Sequence, residues 1–134
     1  MFQAGTLSGN PLATAAGCAM LRALQDDPPY ERLEKLSARL EAGLRDAATA
    51  AGLPHQVARV GSMMTLFFAN EPIRDWPTAS RCDTARFGKW FWGMLERGVY
   101  LPCSQYEALF VSAAHGEQEI DATVAAGREV LAAV

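Results

Sequence analysis

The 134-residue sequence predicts an α+β fold, a small sheet covered by helices, mainly on one face. Three observations predict it. Segments of helical and of strand character follow in the order helix, helix, strand, strand, helix, strand, strand, helix. The strand segments are short and hydrophobic while the helices carry wide apolar faces, the pattern of a two-layer core. The length suits a single domain, able to bury roughly two-thirds of its unfolded surface. The second face of the sheet is left free to pack on something else.

The first helix is expected over residues 11–24. Asn10 is a good N-cap, and Pro11 takes the first helical position, where its missing N–H costs nothing. Asp26, Asp27, Pro28 and Pro29 close it. A second helix is expected over residues 30–51. Its Tyr30, Leu33, Leu36, Leu40, Leu44, Ala47 and Ala51 recur at three- and four-residue steps, and Gly52 ends it. Residues 56–60 and 63–69 read as strands around Gly61. Residues 70–80, with Pro72 and Pro77, read as a loop. Asp83 caps a third helix over 84–97, whose Phe87, Trp90, Phe91, Met94 and Leu95 make a bulky apolar face; Gly98 is a natural helix end. Residues 99–101 and 108–112 read as short strands, and 117–133 as the closing helix. Trp90, Phe91, Met63 and Met64 are expected in the core, and Trp92 at an interface.

Half the residues are apolar and a fifth are charged, an ordinary globular composition. A net charge of −3 with scattered basic residues gives no footprint for nucleic acid. No lysine-rich amphipathic face suits a membrane surface, and the longest apolar stretch, about residues 63–69, is far short of a bilayer span. Neither kind of partner is expected. Cys18, Cys82 and Cys103 form no CxxC pair, which suits free thiols in a reducing cytoplasm. Met1 opens directly on a glycine-containing loop, so no leader is expected. His55 and His115 lie 60 residues apart without partners at ligand spacing, so no metal site is expected.

Two clusters could carry chemistry. In the run FQAGTLSGNPLATAA, Gly5 and Gly9 allow close backbone approach, Thr6 and Ser8 offer hydroxyls, and the helix start favours an anion. A turn before an ordinary helix explains the same residues. Ser104, Gln105 and Glu107 follow Pro102 on a loop between two short strands, where their side chains can lie in a cleft. A carboxylate there can accept a hydrogen bond from an amine and bias its protonation. A surface acid is the other reading of Glu107. His115 is expected to cap the last helix or satisfy a buried carbonyl. His55 is expected in an exposed turn, and Cys103 lies where the cleft would be.

Three stretches resemble one family. GTLSGNPLA at the start, FGKWFWGMLERG over 87–98 and GVYLPCSQYEALFVSAAH over 98–115 are similar, in order, to the C-terminal part of the glutamate-1-semialdehyde 2,1-aminomutases, class III members of the pyridoxal-phosphate aminotransferase superfamily. The tail GEQEIDATVAAGREVLAAV continues the likeness to the end. The first motif alone points to class III aminotransferases in general; SQYEALFVSAAH narrows it. Cys103 stands where a proline is usual and Gly116 where a threonine is usual, the latter a weaker helix cap.

The resemblance implies the C-terminal small domain of a fold-type I aminotransferase, with residues 1–10 as a phosphate-contacting arm and 11–134 as the small domain. It implies pyridoxal phosphate and pyridoxamine phosphate as cofactors and a homodimer. It also implies conversion of the small-molecule substrate glutamate-1-semialdehyde to 5-aminolevulinate for tetrapyrrole synthesis. Gly5 and Thr6 would approach the cofactor phosphate of the opposite subunit, and Glu107 would face the active site in an assisting role. The lysine that bonds the cofactor, the aspartate facing its pyridine nitrogen and the stacking residues lie upstream in that family. The large cofactor-binding domain is therefore expected to be absent, with Met1 an initiator on a truncated coding sequence. The fragment alone would be inactive and hold no cofactor stably. Two other readings remain open: the small domain of another class III ω-aminotransferase, and a self-associating interaction module.

Overall fold

A computed structural model describes Gly5 and residues 7–134, in two units, Met1–Glu31 and Arg32–Val134. In the first, α1 (Pro11–Asp26) starts where the sequence places it. Asn10 Oδ1 accepts the N–H groups of Leu12 at 3.0 Å and Ala13 at 3.1 Å, satisfying two donors the helix start leaves open. The helix runs two residues past its expected end and stops before Pro28. None of its residues is buried, and Leu12, Met20 and Leu21 are exposed.

The second unit holds the sheet and the core. α2 (Tyr30–Ala50) buries Leu36, Leu40, Leu44, Ala47 and Ala48, the stripe its periodicity predicts. β1 (Gln56–Val60) and β2 (Met63–Phe67) are antiparallel, with Val60 opposite Met63 across a turn whose Gly61 has φ +57°. β3 (Leu109–Phe110) completes a three-stranded sheet of order β1-β2-β3, pairing Met63 with Phe110 and Met64 with Leu109. α3 (Trp76–Ala79), α4 (Thr84–Glu96) and α5 (Glu117–Leu131) complete the set. Met64 and Leu66 of β2 join Leu40 and Leu44 of α2, Trp90 and Met94 of α4, and Ile120, Val124 and Leu131 of α5 in one core cluster. This is the expected α+β arrangement of a small sheet covered by helices.

α5 lies close against its neighbours because glycines face it or lie on it. A Cβ at Gly43 of α2 would fall 2.5 and 2.6 Å from the two Val124 methyls. One at Gly127 of α5 would fall 2.7 Å from Leu44 Cδ2. Ion pairs fasten the same elements from outside. Arg39 of α2 meets Asp121 at 2.7 Å and Glu117 at 3.2 Å on α5, and Arg59 of β1 meets Glu41 at 2.6 Å and Glu34 at 2.8 Å on α2.

Four expectations are corrected. Residues 99–101 form no strand. α4 ends with Gly98 at φ +79°, and the Val99 N–H is spent on the Met94 carbonyl at 3.0 Å, so the chain leaves the helix through a closing motif instead of entering a ladder. Pro102 then has no N–H to offer. Residues 70–80 include the one-turn α3, because Asp75 caps Thr78 N at 2.9 Å and the Thr78 hydroxyl answers. β2 stops at Phe67, since the Phe68 carbonyl accepts the Asp83 N–H ahead of α4. Met63 is 41% exposed where the core was expected, as the strand alternates and Met64 takes the inner face at 1%. Asp83 caps α4 through Arg86 N, and Trp90 and Phe91 are buried, both as expected; Trp92 is exposed.

Candidate functional site

The exit from α4, the segment to β3 and the turn before α5 surround a cleft of about 740 Å³. Its floor is the core itself: Leu40, Leu44, Trp90 and Ile120. Its polar rim is Glu107, His115, Glu119 and Cys103.

The segment carrying Glu107 is stitched to β2 along its length. Gln105 is 2% exposed and its Nε2 donates to the Leu66 carbonyl at 2.9 Å. The Thr65 hydroxyl donates to the Glu107 carbonyl at 3.2 Å, and the Glu107 N–H donates to the Ser104 carbonyl at 3.1 Å. Beyond β3, the Val111 N–H donates to the Ser62 carbonyl at 2.9 Å. The backbone of Glu107 is thus held at both its polar groups while its side chain stays exposed on the cleft wall.

The sequence grouped Ser104, Gln105 and Glu107 as cleft side chains, and the structure separates them. Glu107 lines the cleft. Gln105 lies beneath the segment as an anchor, with its Oε1 buried and without a protein partner among the described residues. Such an orphan acceptor costs about 1–3 kcal/mol. Ser104 Oγ accepts the Tyr106 N–H at 3.2 Å and shapes the local turn. Cys103 is exposed and lines the cleft.

His115 is half-buried and lines the same cleft. The Ser112 N–H donates to its Nδ1 at 2.9 Å, and the Ser112 hydroxyl lies 3.2 Å from the same atom. Arg32 of α2 donates to the carbonyls of Ala113 at 3.3 Å and His115 at 2.8 Å. Nothing in the sequence pointed to Arg32, because its partners lie more than 80 positions away and are backbone atoms. Gly116 supplies no cap of its own. Glu119 Oε2 instead reaches back to the Gly116 N–H at 2.8 Å, and that bond holds the Glu119 carboxyl below the usual carboxylate range. His55 is half-buried with Nδ1 2.9 Å from the Leu53 carbonyl, not exposed as expected.

Of the predicted phosphate contacts, Thr6 lies outside the described residues. Gly5 is exposed, and its carbonyl accepts the Ser8 N–H at 3.1 Å in the turn ahead of Asn10. No cluster of metal-ligating side chains occurs among the described residues, and no helix among them is long and apolar enough to cross a membrane.

Helices over a small three-stranded antiparallel sheet match the C-terminal small domain of pyridoxal-phosphate-dependent transaminases. The chain belongs to that group: the family Aminotransferase class-III matches residues 2–125. Within it, the chain is similar to glutamate-1-semialdehyde 2,1-aminomutases, 57% identical over 98% of its length to that of Rhodopirellula baltica and 56% identical over 99% to that of Sorangium cellulosum. It spans about 30% of the length of both relatives. The FumI protein of Sphingopyxis sp. MTA144, solved in its PLP internal aldimine form, superposes over 100% of this chain and 30% of its own with a TM-score of 0.76 at 29% identity.

Pyridoxal phosphate is therefore the cofactor of the family. The lining of this cleft does not by itself fit that cofactor. No arginine or lysine lines the cleft, Glu107 and Glu119 would oppose a phosphate dianion there, and the chain's two lysines, Lys35 and Lys89, are exposed on α2 and α4.

Proposed function

We propose that this chain is the small-domain part of a glutamate-1-semialdehyde 2,1-aminomutase, acting in a cytoplasmic homodimer that converts glutamate-1-semialdehyde to 5-aminolevulinate. The observation that carries the proposal is the 57% identity to the Rhodopirellula baltica aminomutase over 98% of the chain. The remainder of the protein supplies the large domain and holds the cofactor; on its own the chain binds no cofactor stably and turns over no substrate. The free thiols Cys18, Cys82 and Cys103 suit a reducing compartment.

Within that enzyme the chain contributes a wall and an arm. Glu107, its backbone fixed and its carboxylate open to the cleft, accepts a hydrogen bond from a substrate amino group and biases which amine is protonated. Gly5 and Thr6 meet the cofactor phosphate of the opposite subunit, where a bare amide and a small hydroxyl suit a dianion. No proton transfer at carbon is assigned to Glu107.

The test is a graft. This chain replaces the matching segment of the Rhodopirellula baltica relative, and the purified protein is assayed for 5-aminolevulinate from glutamate-1-semialdehyde. Formation of 5-aminolevulinate is expected. Transamination of ω-amino acids with no 5-aminolevulinate would assign the chain to an ω-aminotransferase instead.

A further inference from the structure

The turn over residues 112–116 is held from two sides. Inside it, the His115 N–H donates to the Ser112 carbonyl at 3.1 Å and the Ser112 N–H donates to His115 Nδ1 at 2.9 Å. A backbone N–H can only donate. Nδ1 is therefore the unprotonated nitrogen, and the neutral ring carries its proton on Nε2. No hydrogen bond engages Nε2 among the described residues, and His115 is one of the residues lining the cleft. From outside, the Arg32 guanidinium takes the Ala113 and His115 carbonyls together. A planar fork suits two divergent carbonyls, whereas an ammonium acts as a single point of charge.

We propose that Arg32 is a positioning residue of the cleft: by clamping two carbonyls of this turn it holds His115 in the Nε2–H tautomer, so that the rim presents a hydrogen-bond donor to an acceptor oxygen of the bound molecule. The inference rests on the proposed function in taking the cleft as part of the substrate wall. Glu107, which lines the same cleft, can when ionised only accept; His115, so held, can only donate. A molecule that satisfies both carries an amino group and a carbonyl or carboxylate oxygen, and its carbon chain lies against Leu101, Val111 and Ile120. Amino acids and amino aldehydes fit that description.

The tautomer is read by nitrogen-15 NMR of the histidine rings in the full chain, for wild type, Arg32→Gln and Arg32→Lys. Wild type is expected to show one protonated and one unprotonated nitrogen, with Nε2 protonated. Arg32→Gln releases both carbonyls and should give signals averaged between tautomers. Arg32→Lys, which can hold one carbonyl, should fall between. If Arg32→Gln fails to fold, Arg32→Lys carries the same comparison. Tautomer averaging in wild type, or the wild-type pattern in every folded variant, overturns the proposal. A merely structural role for Arg32 would lower stability and leave the tautomer alone. In the grafted enzyme, Arg32→Gln should raise KM about two- to tenfold, the size of one neutral hydrogen bond, with a smaller change in kcat. An unchanged KM would sink the donor role. A graft that makes no 5-aminolevulinate would count against the aminomutase reading, while the NMR comparison would still decide the role of Arg32.

Discussion

Replacing Gly43 by alanine sets two effects of opposite sign against each other. In an open helix the change stabilises by about 1 kcal/mol, because glycine carries the larger entropic cost. At Gly43 the added methyl would lie 2.5 and 2.6 Å from the two Val124 methyls and 3.1 Å from Val124 Cβ. Valine is stiff at χ1, and both of its methyls face the new atom, so rotation brings no escape. Overpacking of this kind costs about 1–3 kcal/mol, and the upper half of that range applies here. The net expectation is destabilisation by about 1–2 kcal/mol, or a fall in Tm of roughly 3–10 °C. Gly88→Ala on α4 is the control. A Cβ there meets nothing within 4 Å, so that variant should gain about 0.5–1 kcal/mol. Val124→Ala in the Gly43→Ala background should return more stability than it removes from wild type. Chemical denaturation of wild type, the three single variants and the double variant measures all of this. Equal stabilisation by Gly43→Ala and Gly88→Ala would refute the close crossing of α2 and α5.

The Arg59 cluster makes stability depend on pH. Hydrogen bonds from Arg59, and next from Arg45, hold the Glu41 carboxyl below its ordinary 4.5. Its contribution is therefore complete above that value and fades as pH falls through the lower folded value. Urea midpoints between pH 7 and about pH 3 should fall more steeply for wild type than for Arg59→Gln; parallel curves would exclude the coupling. In the whole enzyme, Thr6→Val should weaken cofactor retention by about 1.5–3 kcal/mol, roughly tenfold or more, whereas Glu107→Gln should lower turnover and leave cofactor affinity near normal. Unchanged retention in Thr6→Val, measured by cofactor titration, removes the phosphate role.

Much of the fold could be read from local chemistry. Asn10 before Pro11, Asp83 before α4 and Gly98 after it fix helix ends through atoms only a few residues away, and such signals survive any tertiary context. The α2 stripe, Leu36, Leu40 and Leu44, is likewise visible as periodicity. What escaped were the claims on backbone groups made at helix ends. Val99 and Phe68 look like strand residues in composition, but the N–H of one is already spent on Met94 of α4 and the carbonyl of the other on Asp83, the cap of α4. The site was legible where a side chain must face outward and illegible where long-range pairing decides. Glu107 fell on the cleft as expected. Gln105, two residues earlier, was turned inward by the Leu66 carbonyl, and Arg32 came to brace the turn carrying His115 through carbonyls at the far end of the chain.

The stitching of residues 105–111 to β2 also governs what changes in length this protein can accept. Gln105, Glu107, Leu109 and Val111 meet Leu66, Thr65, Met64 and Ser62 in turn, through side-chain bonds where ladder bonds are missing. Inserting or deleting one residue within this stretch would slide Glu107 about 3.3 Å along β2 and turn alternate side chains to the opposite face. The connection over residues 69–75 shows no such bonds to the sheet among the described residues; its fasteners, the Glu71–Arg81 pair at 3.3 Å and the bonds of Arg74 and Asp75 to Thr78, run to α3 and the turn after it. Among natural variants of this domain, gaps should therefore collect between β2 and α3, and the spacing from Gln105 to Val111 should stay constant even where the residues themselves change.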